Sequence, residues 1–195
     1  DEIYCEWAPN EKVAAEVAFG ASLRGVRSAC GMKHVGLNVA ADPLFTLSYT
    51  GVNGGLVLFV ADDPAMHSSQ NEQDSRHYAI AAKVPMIEPS DSAEAKEYVK
   101  QAFELSEEFD TPVIVRMCTR IAHSQYAVEL EPRQEKPLGE YVKNPAKYIM
   151  APANAAKRHP FVEERTKRLQ EVAETGRFNR VEKTDSEMGI ICAGT

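Results

Sequence analysis

The segment GGLVLFVADD (residues 54–63) is the most informative stretch of this 195-residue sequence. Its centre is a continuous apolar run with β-branched valines, preceded by two glycines and followed by two aspartates. A short apolar run bounded in this way predicts a strand that is buried on both faces. Such strands are typical of parallel sheets that are covered by helices on both sides.

The segments on either side of this strand alternate between strand and helix patterns. Further strands are predicted at residues 2–4, 29–34, 84–89 and 111–119, and helices at residues 10–28, 37–49, 71–83 and 91–109. Asp91 or Ser92 is the expected N-cap of the last helix. The alternation predicts an α/β domain with a mostly parallel sheet and helices on both faces.

The pattern changes beyond residue 131. Five prolines, at positions 132, 137, 145, 152 and 160, interrupt it, and one polar helix is predicted over residues 162–175. We interpret residues 1–130 as the main domain and residues 131–186 as a proline-containing linker along its surface. The β-type run GIICAGT (189–195) predicts that residues 187–195 begin a following domain, so both ends of the chain look truncated.

Composition excludes several classes of function. A formal net charge of −7 argues against binding to nucleic acid, which needs clustered Lys and Arg. No apolar run reaches the roughly 18 residues of a membrane span. The four cysteines are scattered, which favours reduced thiols in a cytoplasmic protein. Asp62 and Asp63 are adjacent, but no Gly-rich phosphate loop accompanies them, so we predict no metal site in this chain.

Three polar places follow predicted strands, and ligands of parallel α/β sheets bind beyond the carboxyl ends of strands. The first is Glu11, at the start of a helix rich in alanine and valine. The second is MKHVGLN (32–38), and the third is ADDPAMHSSQNEQDSRHYA (61–79). These three places are the candidate site.

Each place also has a purely structural interpretation. A glutamate in a first turn complements the helix dipole, which is worth about 0.3–1 kcal/mol. His34 fits a core position with one hydrogen bond, and residues 67–76 fit a solvated loop that caps the next helix. The residues alone therefore indicate a polar site at the strand ends without naming a reaction.

Four long motifs in this sequence are similar to those of a known family. They are EWAPNEKVAAEVAFGASLRG (6–25), MKHVGLNVAADPL (32–44), GGLVLFVADDPAMHSSQNEQDSRHYA (54–79) and AFELSEEFDTPVIVR (102–116). Together they resemble the 2-oxoacid:ferredoxin oxidoreductases, and in particular the large α subunits of the indolepyruvate branch. The resemblance is dense over residues 5–130 and looser beyond them.

The resemblance implies a thiamine diphosphate-binding fold, with residues 1–130 forming most of a pyrimidine-binding domain. The family's glutamate precedes a glycine by nine positions, and Glu11 and Gly20 have that spacing. Such a carboxylate shares a proton with ring nitrogen N1′ of the cofactor, and apolar surroundings favour the sharing. The resemblance thus implies that Glu11 is the catalytic residue.

The resemblance also implies two sets of binding residues. The set beside the aminopyrimidine comprises Glu11, Lys33, His34, Val35, Gly36 and Asn38. The set lining the substrate end comprises Asp62, Asp63, His67, Gln70, Asn71, Gln73 and Arg76. Pyruvate-type relatives place an arginine near the position of Asp62 and Asp63, and its absence here favours a bulkier 2-oxo acid.

The implied activity is oxidative decarboxylation of an aryl 2-oxo acid, of the indolepyruvate type, with coenzyme A and ferredoxin. The implied partners are a diphosphate-binding domain of the same or a second α subunit and a small β subunit. Mg²⁺ and Fe–S clusters are expected only in parts of the parent protein outside this chain, so the chain alone is expected to be inactive. The alternatives are a relative that acts on other 2-oxo acids and a non-catalytic assembly module.

Overall fold

The computed structural model describes residues 3–194, in which four strands form one sheet. The strands are β1 (Ser28–Lys33), β2 (Leu56–Asp62), β3 (Met86–Ile87) and β4 (Val113–Cys118). Their order across the sheet is β1-β2-β4-β3, and every neighbouring pair is parallel. The predicted parallel sheet is confirmed, and the segment GGLVLFVADD supplies β2, which has a strand on each side.

Eight α-helices connect and cover these strands within residues 3–194. They are α1 (Glu11–Leu23), α2 (His34–Val39), α3 (Ala41–Thr50), α4 (Arg76–Ala82), α5 (Ser92–Phe109), α6 (Thr119–His123), α7 (Pro145–Tyr148) and α8 (Pro152–Glu174). A single 3₁₀ turn spans Pro64–Met66. None of the helices in this part of the chain is long and apolar enough to cross a membrane.

Strand β2 contributes to two hydrophobic cores because successive side chains of a strand point to opposite faces. Leu56, Leu58 and Val60 pack in one cluster with residues of α1, α2, α3 and α4. Val57 packs in a second cluster with α5, and Phe59 lies against that cluster. Helices therefore cover both faces of the sheet, as predicted, and this explains why β2 carries no alternation of apolar and polar residues.

Two helices differ in length from the prediction for identifiable reasons. Helix α1 ends at Leu23 rather than near residue 28, and Gly25 then turns the chain with a φ of 79°. A left-handed residue just after a helix is a common stop signal. Helix α4 begins at Arg76 rather than near residue 71, because the Ser75 amide and hydroxyl are bonded to Asp62.

Smaller differences concern the other predicted elements. The helix predicted at 37–49 is two helices, α2 and α3, and the strand predicted at 84–89 is reduced to Met86–Ile87. Asp91 is the N-cap of α5 and accepts a hydrogen bond from the Glu94 amide at 2.8 Å. At the N-terminus, Ile3 and Tyr4 are not in a strand, and residue 2 lies outside the described residues.

Residues 131–186 differ from a simple surface linker because α8 packs onto the domain. It begins at Pro152, ten residues earlier than the predicted helix, and places Val162, Arg165, Leu169 and Val172 against the rest of the fold. Their spacing of three and four residues gives one inward-facing stripe. The helix lies at the amino-terminal edge of the sheet, opposite the candidate site.

Arg165 holds α8 in place through backbone carbonyls. The side chain is 1% exposed, and its guanidinium donates to the carbonyl oxygens of Asp110 at 2.9 Å and of Ser48 at 2.8 Å. It also reaches the Lys83 carbonyl oxygen at 3.4 Å. Burial lowers the pKa of Arg165 to about 10. One side chain thus joins α8 to the ends of α3, α4 and α5.

Two irregular segments run along α5, and we call residues 124–144 the first strap and residues 175–194 the second strap. The first is paired with Lys96, Lys100 and Glu107 of α5, and the second with Glu94, Glu104 and Glu108. Exposed pairs of this kind are worth about 0–1 kcal/mol each. The strand predicted at 189–195 is absent from residues 189–194, which form no ladder with another strand, and residue 195 lies outside the described residues.

Replacing Arg165 by Met should lower the free energy of unfolding by about 3 kcal/mol, because buried carbonyl oxygens lose their charged donor. Urea unfolding of the purified chain measures the change. Lys167→Met is the matched control, since Lys167 is exposed on the same helix and has only a 3.7 Å pair with Glu164. Equal midpoints for the two variants would contradict this role of Arg165.

Candidate functional site

Glu11 begins α1 and lies directly against the backbone of α2. Asn10 caps the helix by accepting a hydrogen bond from the Val13 amide at 3.0 Å, which fixes where the first turn starts. A Cβ added to Gly36 would lie 2.6 Å from Glu11 Cγ and 2.9 Å from its Oε1. The absence of a side chain at Gly36 therefore creates the space that the Glu11 side chain occupies.

The Glu11 carboxylate is half-buried, and within residues 3–194 it forms no hydrogen bond or ion pair. Its neighbours Lys12 and Glu16 are instead paired on the outer side of α1, with Lys12 also bonded to Asp42. The structure thus leaves a carboxylate without a partner at the start of a helix. Gly20, predicted from the nine-residue spacing, has open space around its Cα in this part of the chain.

Lys33 and His34 end β1 and begin α2, and both contact the loop that follows β2. We call residues 63–75 the polar loop. Lys33 Nζ donates to the Ser68 carbonyl oxygen at 2.8 Å and to Ser69 Oγ at 2.7 Å. His34 Nε2 is 3.2 Å from the Asn71 carbonyl oxygen. The predicted cofactor segment and the predicted substrate loop are therefore in direct contact.

Asp62 ends β2 and is buried, with both of its carboxylate oxygens hydrogen-bonded. It accepts from the Ser75 amide at 3.0 Å, from Ser75 Oγ at 2.5 Å and from Arg116 Nε at 2.6 Å. Arg116 also pairs with Glu88. A buried carboxylate needs this compensation, so Asp62 acts here as an anchor for the far end of the polar loop.

Asp63 is also buried and anchors the near end of the same loop. It accepts from the Ser69 hydroxyl at 2.7 Å, the Thr119 hydroxyl at 2.7 Å and the Ser68 amide at 2.8 Å. These hydrogen bonds, led by the one from Ser69, hold the pKa of the Asp63 carboxyl well below its usual range. The carboxylate therefore stays ionised and bonded to the loop at neutral pH.

The other predicted residues divide into bonded and unbonded side chains. Arg76 is paired with Asp74, Gln73 donates to Asn71, and Tyr78 donates to Asn38. Val35 is half-buried at the start of α2. His67 and Gln70 are exposed and make no hydrogen bond within the described chain. Both side chains are therefore available on the polar loop to contact a ligand.

A cavity of about 180 Å³ lies at the carboxyl ends of the strands. It is lined by Lys33, Ala61, Asp62, Asp63, Ser68, Thr119, Ala122 and His123. The last three of these residues follow β4 in α6 and were not among the predicted site residues. The rule that points to the residues after β1 and β2 applies equally to those after β4.

Comparison with known proteins adds close relatives. The chain is 48% identical over 195 residues to the indolepyruvate oxidoreductase subunit IorA of Archaeoglobus fulgidus, an alignment that covers 99% of this chain and 31% of that protein. It is 49% identical over 195 residues to IorA of Methanothermobacter marburgensis, covering 98% of this chain and 32% of that protein. The predicted resemblance is confirmed. The chain spans about a third of the length of these curated relatives, and no family model matches it.

One solved structure supports the fold. It is a 2-oxoglutarate:ferredoxin oxidoreductase from Magnetococcus marinus with 2-oxoglutarate, coenzyme A and succinyl-CoA bound. The TM-score is 0.56 at 14% identity, and the match covers 84% of this chain and 36% of that chain. The α/β fold with helices on both faces of a parallel sheet is therefore shared with part of that oxidoreductase.

Replacing Gly36 by Ala should displace the Glu11 carboxylate by about 1 Å, because a methyl group needs roughly 3.5–4.0 Å to a neighbouring carbon. A crystal structure of the variant measures the shift. Gly20→Ala is the control: nothing lies within 4 Å of the added methyl group, and alanine in mid-helix should stabilise the chain by about 0.5–1 kcal/mol. An unmoved carboxylate in Gly36→Ala would refute the close contact.

Proposed function

We propose that this chain is part of a thiamine diphosphate-dependent oxidoreductase that oxidatively decarboxylates aryl 2-oxo acids of the indolepyruvate type, with coenzyme A and ferredoxin. Within it, residues 3–130 belong to a pyrimidine-binding domain that supplies the half-site activating the aminopyrimidine ring. The observation that carries the proposal is the Glu11 carboxylate, which is half-buried against Gly36 and has no hydrogen bond or ion pair with any of residues 3–194. The IorA relatives support the substrate class by their names.

The residues at this position fit an aminopyrimidine ring. A flat ring of this kind needs a carboxylate for its ring nitrogen, and Glu11, which lies against the backbone at Gly36, provides one. Ala14 and Ala15 follow Glu11 on α1, where Ala15 is buried in the core and Ala14 packs against it. Small apolar neighbours limit water around the carboxylate and so strengthen a hydrogen bond to the ring.

Glu11 carries the proton chemistry in this proposal. Its carboxylate would hydrogen-bond to ring nitrogen N1′ of the cofactor and hold a proton there. When bound, thiamine diphosphate supplies the nucleophilic carbon and the electron sink for decarboxylation. Because Asn10 caps α1 and Gly36 limits the rotamers of Glu11, the carboxylate is held in position before the ring arrives.

The polar loop forms the substrate end of the proposed site. The resemblance implies that pyruvate-type relatives have an arginine for the substrate carboxylate near the position of Asp62 and Asp63, and both aspartates are hydrogen-bonded here within the fold. The substrate must therefore be recognised by other groups, and His67 and Gln70 are exposed on the loop. The missing arginine favours a bulky aryl 2-oxo acid over pyruvate.

The rest of the reaction belongs to partners in this proposal. A diphosphate-binding domain, from the same or a second α subunit, holds Mg²⁺ and the diphosphate group and closes over Glu11. A small β subunit completes the enzyme, and Fe–S clusters outside this chain pass electrons to ferredoxin. The chain alone is inactive because Glu11 activates a ring that a second domain must hold.

Replacing Glu11 by Gln should lower kcat by about 10²–10⁴-fold, because an amide cannot share a proton with N1′. The measurement is anaerobic, coenzyme A-dependent reduction of a redox dye by the full-length protein with its partner subunit. Indolepyruvate should be preferred over pyruvate by the unmodified enzyme.

Glu16→Gln is the matched control, since Glu16 is exposed one turn further along α1. It should retain full activity. Normal turnover by Glu11→Gln would contradict the mechanism. Preference for another 2-oxo acid would favour a relative with different specificity, and no turnover of any 2-oxo acid would favour a non-catalytic assembly module.

A further inference from the structure

Two consecutive residues at the end of β1 bind the polar loop from one side. Lys33 contacts the Ser68 carbonyl oxygen and the Ser69 hydroxyl at 2.8 and 2.7 Å. His34 contacts the Asn71 carbonyl oxygen of the same loop at 3.2 Å. The loop follows a different strand, so these contacts join β1 to the loop across the carboxyl edge of the sheet.

The state of the His34 ring follows from its surroundings. A carbonyl oxygen only accepts hydrogen bonds, so Nε2 of His34 carries the proton and donates to Asn71. The residue is 1% exposed, and its Nδ1 is buried without a hydrogen-bond partner among residues 3–194. An unmet acceptor inside the fold is unfavourable, and an apolar residue would avoid it. The hydrogen bond from Nε2–H to the loop is therefore the interaction that favours a histidine over an apolar residue at this position.

The polar loop needs such external restraints. Its backbone contains two consecutive non-glycine residues in the left-handed region, Ala65 with φ 63° and Met66 with φ 57°. Such conformations are unfavourable and persist when the surroundings impose them. The Ala65 amide donates to the Glu72 carboxylate within the loop at 2.8 Å. Further hydrogen bonds to the loop come from residues at the strand ends.

Helix α2 links these contacts to the proposed cofactor site. His34 is its first residue and holds the loop, while Gly36, two residues later, lies against Glu11. The loop main chain is fixed at both ends by Asp62 and Asp63, and His67 and Gln70 between them are exposed.

We propose that Lys33 and His34 are positioning residues that latch the polar loop over the strand ends, so that its residues Asp63 and Ser68 keep their places in the lining of the cavity there, where the 2-oxo acid binds. The inference rests on the proposed function and adds to it the means by which the substrate-side loop is held. Lys33 and His34 act through the loop, by bonds to two of its main-chain carbonyl oxygens and to the Ser69 hydroxyl, so their loss raises KM for the 2-oxo acid.

The first test is hydrogen–deuterium exchange of the full-length protein with its partner subunit, comparing Lys33→Ala and His34→Ala with the unmodified protein. Amides of residues 68–72 should exchange about five- to tenfold faster in each variant, the effect of losing one hydrogen bond. Lys33→Arg and His34→Gln keep a donor and should restore slow exchange. Unchanged exchange in β2 shows that the variants are folded.

Lys96→Ala is the matched control. Lys96 lies on α5 and also donates to the backbone of an irregular segment, at the Glu129 carbonyl oxygen of the first strap. This variant should speed exchange in the first strap and leave residues 68–72 unchanged. It thereby separates the loss of a local latch from a general loosening of the molecule.

The second test is the kinetics of 2-oxo acid oxidation. Lys33→Ala and His34→Ala should raise KM for indolepyruvate about tenfold, because the restraint acts on substrate positioning. Unchanged exchange in the loop overturns the latch, and faster exchange with an unchanged KM overturns the positioning role. An unmodified protein that oxidises no 2-oxo acid contradicts the proposed function and not the latch. Hydrogen–deuterium exchange needs no turnover, so it tests the latch even when the activity is absent.

Discussion

Two neighbouring carboxylates at the end of β2 are the constraint on which this site depends. Asp62 and Asp63 are both buried, and a buried charge is tolerated only when hydrogen bonds and opposite charges compensate it. The compensating donors come from the polar loop, from Arg116 of β4 and from Thr119 of α6. Meeting this requirement fixes the start of α4 and both ends of the loop. The shape of the site is thus largely a consequence of supplying hydrogen bonds and opposite charge to these two buried carboxylates.

The central strand and the arrangement of the sheet could be predicted from the sequence because one pattern dominates there. The centre of residues 54–63 is apolar on both faces, and a parallel sheet with helices on both sides is the arrangement that buries such a strand. The end of α1 could not be placed from composition, since it depends on the left-handed Gly25. The start of α4 depends on a contact between residues that are 13 positions apart, Asp62 and Ser75.

The docking of α8 was beyond sequence reasoning for a related reason. Proline-rich flanks and a polar composition are typical of a linker, and Arg165 alone gives no sign that it will be buried. Its burial depends on carbonyl oxygens that three other helices present together at the opposite edge of the sheet. Long-range contacts of this kind are decided by geometry and leave no local pattern.

The site residues, too, divide into those that a local sequence pattern indicates and those whose role is decided by contacts in space. Glu11 could be proposed from the sequence because it begins a helix rich in alanine and valine and precedes Gly20 by the spacing of the similar family, and within residues 3–194 the structure places it against Gly36 without a hydrogen bond or ion pair. Asp62 and Asp63 were equally conspicuous in the sequence, yet the structure uses both as anchors. Whether a carboxylate is free or fully bonded depends on its neighbours in space, and this separates the proposed catalytic acid from the two structural ones.

The most direct test of this account is an experimental structure of the assembled protein with thiamine diphosphate bound. The account predicts a Glu11 carboxylate oxygen within about 3 Å of ring nitrogen N1′, at hydrogen-bonding distance, with the side chain still against Gly36. A Glu11 side chain turned to solvent, with another carboxylate on N1′, would contradict it.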